Sequence, residues 1–174
     1  FPYTTLFRSL YNDAAELLDG DSAEDLLFVL GDLIEKGAAK ATVFDSLEKP
    51  IIALATSCPA STHLIKSAKR MAKHHPKLAA HLGAERIKWR AENGTYGKKK
   101  GYEPFCSALH AVRDLHVRAE MVTEWNKFLK AFLAMPSIAG KRGLAREIEK
   151  QGIEPLTKGD VAKPSISTRK KRYP

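Results

Sequence analysis

The chain has 174 residues, of which 44% are hydrophobic and 28% charged, with two cysteines and a formal net charge of +9. This length suits one domain, or one domain and a tail, and the balance excludes wholesale disorder, a collagen repeat and a disulfide-knit scaffold. No apolar run approaches the roughly 20 residues that cross a bilayer, so neither a spanning helix nor a membrane partner is expected.

Phe1-Pro-Tyr-Thr-Thr-Leu-Phe-Arg-Ser9 reads codon by codon as the translation of TTTCCCTACACGACGCTCTTCCGATCT, a widely used short-read sequencing adapter. Residues 1–9 are therefore expected to be an adapter-derived artefact that contributes nothing to the fold. Residues 10–153 are then expected to be a helical domain cut from a longer protein. Residues 154–174, rich in cations and proline, read as a basic, mostly disordered tail. With Cys58 and Cys106 too few for a framework, a reducing cytoplasm is the expected compartment.

Ser22, with Asp25 three residues on, caps a helix carrying Leu26, Leu27, Leu30, Leu33 and Ile34 as far as Gly37. A shorter helical segment carries Val43, Phe44 and Leu47, and an apolar stretch after Pro50 ends at Cys58-Pro59. A helix starting at Ser61 places Leu64, Ile65, Ala68, Met71 and Ala72 on one side and Lys66, Lys69, Arg70 and Lys73 largely on the other. Pro76 opens the next, which bears Leu78, Leu82 and Trp89 and runs to Asn93, where Gly94 supplies a left-handed stop. Residues 95–101 read as an exposed loop.

Pro104 begins a helix with a 3.6 period in Phe105, Ala108, Leu109, Val112, Leu115 and Ala119. The helix after it repeats that pattern in Val122, Trp125, Phe128, Leu129, Phe132 and Leu133. Beyond Pro136 and Gly140, a short helix carrying Leu144 and Ile148 ends at Gly152. The fold class is therefore all-α: antiparallel helix hairpins forming a small bundle or a short solenoid of tetratricopeptide-like dimensions. Its expected core comprises Leu26, Leu30, Trp89, Leu109, Val112, Trp125, Phe128 and Leu129.

The run His75-Pro76-x-Leu78-Ala79-x-x-Leu82 is followed by Tyr102, Ala108 and Leu115, then Glu124-Trp125-x-x-Phe128-Leu129 and Lys141-Arg142-x-Leu144-x-x-Glu147. Together these resemble the C-terminal helical array of bacterial SWIM zinc-finger proteins, over about residues 75–152. The resemblance implies an interaction scaffold. It also implies a Cys-x-Cys…Cys-x-His zinc motif upstream, which nothing in residues 10–174 matches.

Signatures of chemistry are weak. Cys106 and His110 lie at i, i+4, and Cys58 and His63 flank a proline turn. A four-ligand zinc site could be drawn from them, but structural sites use tighter, turn-defined spacing, and a cysteine in an apolar helix packs as a small hydrophobe. Neither a metal nor a cofactor is expected. Asp19-Gly-Asp21-Ser22 lacks the third acid and the glycine of a calcium loop. Around Gly94 and Gly97, two residues stand where a phosphate loop needs four, and Lys99 replaces its Ser/Thr.

Charge is the feature that points outward. Residues 1–60 carry four Lys+Arg against ten Asp+Glu, and residues 61–174 carry 25 against ten. The candidate nucleic-acid contacts are Lys66, Lys69, Arg70 and Lys73 on a helix face, Lys98, Lys99 and Lys100 on a loop, Lys141, Arg142 and Arg146 at a helix start, and Arg169, Lys170, Lys171 and Arg172 at the terminus. Trp89, Trp125 and Phe128 fall on apolar stripes instead of interleaving with these cations, which does not suit single-strand stacking. The sequence thus favours a non-enzymatic interaction scaffold with a protein partner, with a nucleic-acid-binding helical domain as the alternative.

Overall fold

The computed structural model describes Ile52, Thr56, residues 64–97 and residues 101–162. Expectations for residues 1–51, including the helix with Leu26 and Leu30, lie outside the described residues. The rest is all-α, with seven helices packed on one another and no strand among the described residues. They are α1 (Leu64–Met71), α2 (Pro76–Glu92), α3 (Glu103–Arg118), α4 (Val122–Ala134), α5 (Pro136–Ala139), α6 (Arg142–Lys150) and α7 (Lys158–Ala162).

Prolines and glycines cut these lengths. Pro76, Pro104 and Pro136 stand in the first turns of α2, α3 and α5, where a missing N–H costs nothing. Gly94 follows α2 at φ +64°, a conformation open to glycine, and the Thr95 amide closes the end on the Arg90 carbonyl at 2.9 Å. Gly152 ends α6 in the same way at φ +64°, with the Ile153 amide on the Ile148 carbonyl at 3.1 Å.

α2 packs between α1 and α3. Leu64, Ala68 and Met71 bury the inner face of α1, and Leu78, Leu82, Ile87 and Ala91 lie inside on α2. Contact with α3 depends on Gly83, where an added Cβ would stand 2.9 Å from a Val112 methyl. α4 folds back along α3, and their aromatic residues form a chain. Phe105 and Phe132 stack at 6.0 Å, Phe128 joins Phe132 at 6.2 Å, and Trp125 meets Phe128 at 5.7 Å. Such pairs add about 0.5–1.5 kcal/mol each beyond their area burial.

Of the expected core, Leu109, Val112, Trp125 and Leu129 are buried. Trp89 is not: it is partly exposed, with the Arg86 guanidinium 5.0 Å from its ring, because α2 already buries Leu82, Ile87 and Ala91 against its neighbours. Phe128 is only partly buried, although it links Phe132 to Trp125 within the aromatic chain.

The tail expected from residue 154 starts too early. Residues 153–157 run extended across α3 and α4, with Ile153 and Leu156 buried, and α7 follows. Thr157 caps α7: its amide and its hydroxyl both donate to the Asp160 carboxylate at 2.7 Å. These bonds hold the Asp160 carboxyl below its ordinary value. Two apolar anchors and a capped turn outweigh the local charge and the proline. Residues 163–174 lie outside the described residues.

Candidate interaction surfaces

The basic residues divide into separate groups. Lys66, Lys69 and Lys73 are exposed along the outer side of α1 and the turn beyond it, as their spacing requires. Arg70 is partly buried and does not stand with them as a solvated cation. Arg142 and Arg146 are exposed one turn apart on α6. Lys141 is partly buried, its ammonium 5.2 Å from the centre of the Tyr96 ring. α1 makes its main contacts with α2, whereas α6 makes its with α3. Lys98, Lys99 and Lys100 and the terminal Arg169, Lys170, Lys171 and Arg172 lie outside the described residues.

The paper zinc constellation is not brought together where it can be followed. Cys106 is fully buried, and burial with the Glu147 carboxylate pushes its thiol up to about 11, so it is a protonated hydrophobe at neutral pH. His110 instead turns toward Asp114, with Nδ1 3.4 Å from a carboxylate oxygen. Cys58 and His63 lie outside the described residues. Among the described residues no three His, Cys, Asp or Glu side chains gather closely enough to hold a metal, and no helix is long and apolar enough to cross a membrane.

His116 is a buried polar group that the periodicity did not single out. It is 2% exposed, between Trp125 at 5.4 Å and Phe128 at 6.4 Å. Its Nδ1 lies 2.8 Å from the Val112 carbonyl, which can only accept, so Nδ1 carries the proton. Burial holds the imidazole below its ordinary 6.5, an effect to which His81 adds and which the Val112 bond and Glu124 oppose.

A different surface emerges on the far side of α4. An open groove of about 680 Å³ runs between α4, α6 and the extended segment, with Leu129, Leu133, Ile148 and Ile153 supplying apolar walls. Leu133, at 43% exposure, is the one large hydrophobic side chain in solvent among the described residues. Lys130, Glu149 and Glu154 are its charged lining. An apolar trough with a charged border is the usual anatomy of a protein-binding face.

The segment bounding this groove is fastened by side chains of α3 and α4. The Trp125 indole N–H and Arg113 Nε donate to the Glu154 carbonyl at 3.0 and 3.4 Å. Asn126 grips Leu156 both ways, donating to its carbonyl at 3.0 Å and accepting from its amide at 2.7 Å. Thr157 with Asp160 three residues on, a capping pair, is the one local signal in the sequence that could have marked this segment.

Comparison of the chain with protein-family models, with curated proteins and with solved structures finds no match.

Proposed function

We propose that this chain is a non-enzymatic helical interaction module whose protein partner docks in the groove between α4 and α6. One observation carries the reading: Leu133, the large apolar side chain left in solvent among the described residues, is on the wall of an open apolar groove. The polar groups that could suggest chemistry are spent otherwise, with Cys106 in the core and His110 directed at Asp114. The likeness of residues 75–152 to the helical array of SWIM zinc-finger proteins supports the same role. Its shared Leu78, Leu82, Trp125, Leu129 and Leu144 are buried here, so the likeness is one of helix packing. A cytoplasmic, tetratricopeptide-like scaffold belongs to this proposal.

Peptides selected by display against the folded chain test the reading. They are expected to compete with one another and to lose binding in Leu133→Asp, a change at an exposed position that leaves the fold intact. Selected peptides that bind Leu133→Asp unchanged would overturn it. The alternative, phosphate binding, is favoured by one feature, the exposed row Lys66, Lys69 and Lys73 on one helix side.

A further inference from the structure

Residues 153–156 are held as a bound peptide is held. The segment is extended: its first amide, that of Ile153, still bonds the Ile148 carbonyl of α6, and beyond it side chains of α3 and α4 supply the partners of Glu154 and Leu156. Asn126 satisfies the amide and the carbonyl of a single residue, Leu156, at 2.7 and 3.0 Å. That contact reads main chain alone and accepts any residue with an amide N–H, so any but proline. Selectivity comes from the two buried anchors, Ile153 and Leu156, and from Pro155 between them, which restricts the free segment toward extended conformations before it binds. Arg113, Trp125 and Asn126, which make these bonds, all belong to α3 and α4, so the receiving face is complete without the segment. Gly152 at φ +64° forms the pivot on one side, and the five-residue α7 follows on the other.

We propose that the Arg113, Trp125 and Asn126 face of α3 and α4 is a receptor for an extended peptide with apolar residues three apart flanking a proline, occupied in cis by residues 153–156. This rests on the interaction-module reading and names the chemistry of the partner. A partner segment of that pattern displaces the cis segment. The groove wall formed by Ile153, Glu154 and Pro155 then leaves, and the receptor face becomes continuous with Leu129 and Leu133. The cis segment acts as a tethered competitor at an effective concentration in the millimolar range, on the order of that for short linkers, so it reduces every partner's affinity to the fraction of time the face is free.

The test uses the full chain and a fluorescent peptide spanning residues 151–158, followed by anisotropy. The wild type is expected to bind weakly. Ile153→Ala with Leu156→Ala, which loosens the cis segment, is expected to bind about tenfold or more tightly, and adding Asn126→Ala to that variant is expected to remove the gain. A loosened variant that keeps its helical circular dichroism yet binds no better than wild type overturns the proposal. Hydrogen exchange on the wild type decides independently, including where the loosened variant fails to fold. The Leu156 amide is expected to exchange at least about tenfold faster than that of Leu129, through local release; exchange of both only by global unfolding overturns the proposal. Binding lost in Leu133→Asp but indifferent to Asn126→Ala refutes the receptor while sparing the groove. The opposite pattern spares the receptor and refutes the groove.

Discussion

α1 and α2 bury aliphatic and small residues together: Leu64, Met71, Leu82 and Ile87 beside Ala68, Ala79, Ala80 and Ala91, with Gly83 turned to Val112. In α3 and α4 the same layer is built from Phe105, His116, Trp125 and Phe132. The first pair combines aliphatic burial with a close helix approach at Gly83. The second gains its stability from large rings with polar edges, and those edges remain able to bind backbone, as Trp125 does at Glu154. On the proposed reading, two hairpins of similar helical content have different tasks, one support and one recognition.

The largest effect is expected at Trp125. Its ring is fully buried and its indole N–H holds Glu154, so Trp125→Ala should cost about 3–5 kcal/mol in denaturant unfolding. A cost below about 1 kcal/mol would mean that the aromatic layer is not the core of this pair. Asn126→Ala comes next, at about 1–3 kcal/mol, because it leaves the amide and carbonyl of Leu156 without their partner. Its effect should be confined to residues 153–157 in an amide exchange map.

The close approach at Gly83 is sharpened by a double-mutant cycle. Gly83→Ala alone meets a Val112 methyl at 2.9 Å and should destabilise, despite the helix propensity of alanine, better by about 1 kcal/mol. In a Val112→Ala background the same change should stabilise, giving a coupling on the order of 0.5–3 kcal/mol in unfolding free energy. Additive effects would show that the close approach is not limiting.

Most of this comparison could be read from residues alone. Pro76, Pro104 and Pro136 with Gly94 and Gly152 mark the helix limits, and the period of Leu109, Val112, Trp125 and Leu129 marks the buried faces. Trp89 misled, because its place in a period does not say which neighbour is near enough to cover it. The extended segment also misled. Pro155 and Lys158 look like the start of a tail, whereas Ile153 and Leu156 find their burial on helices more than twenty residues away in sequence, and local pattern does not carry such contacts. Basic side chains were visible as charge, but only the structure separates Lys66, Lys69 and Lys73 in solvent from Lys141 over a tyrosine ring.

The smallest expected effect is a pH dependence from His116. Its folded value is held below 6.5, so the unfolded chain binds the proton first as pH falls. The stabilising contribution is therefore full above about pH 6.5 and is lost progressively below it, toward the lower folded value. His116→Phe should flatten the stability curve in that window when compared with wild type by thermal unfolding. An unchanged slope would show that the imidazole does not titrate against the fold.

The central claim is that recognition belongs to the apolar face of α4 and α6 and not to the basic side of α1. Salt dependence of duplex DNA binding tests it most directly, since a phosphate-binding face weakens linearly in log–log form with a slope of about −0.9 per phosphate neutralised. The account predicts weak, sequence-independent binding at low salt, caused by the +9 net charge, and its near disappearance at physiological ionic strength. Tight binding retained there, and abolished by converting Lys66, Lys69 and Lys73 to glutamine, would contradict it.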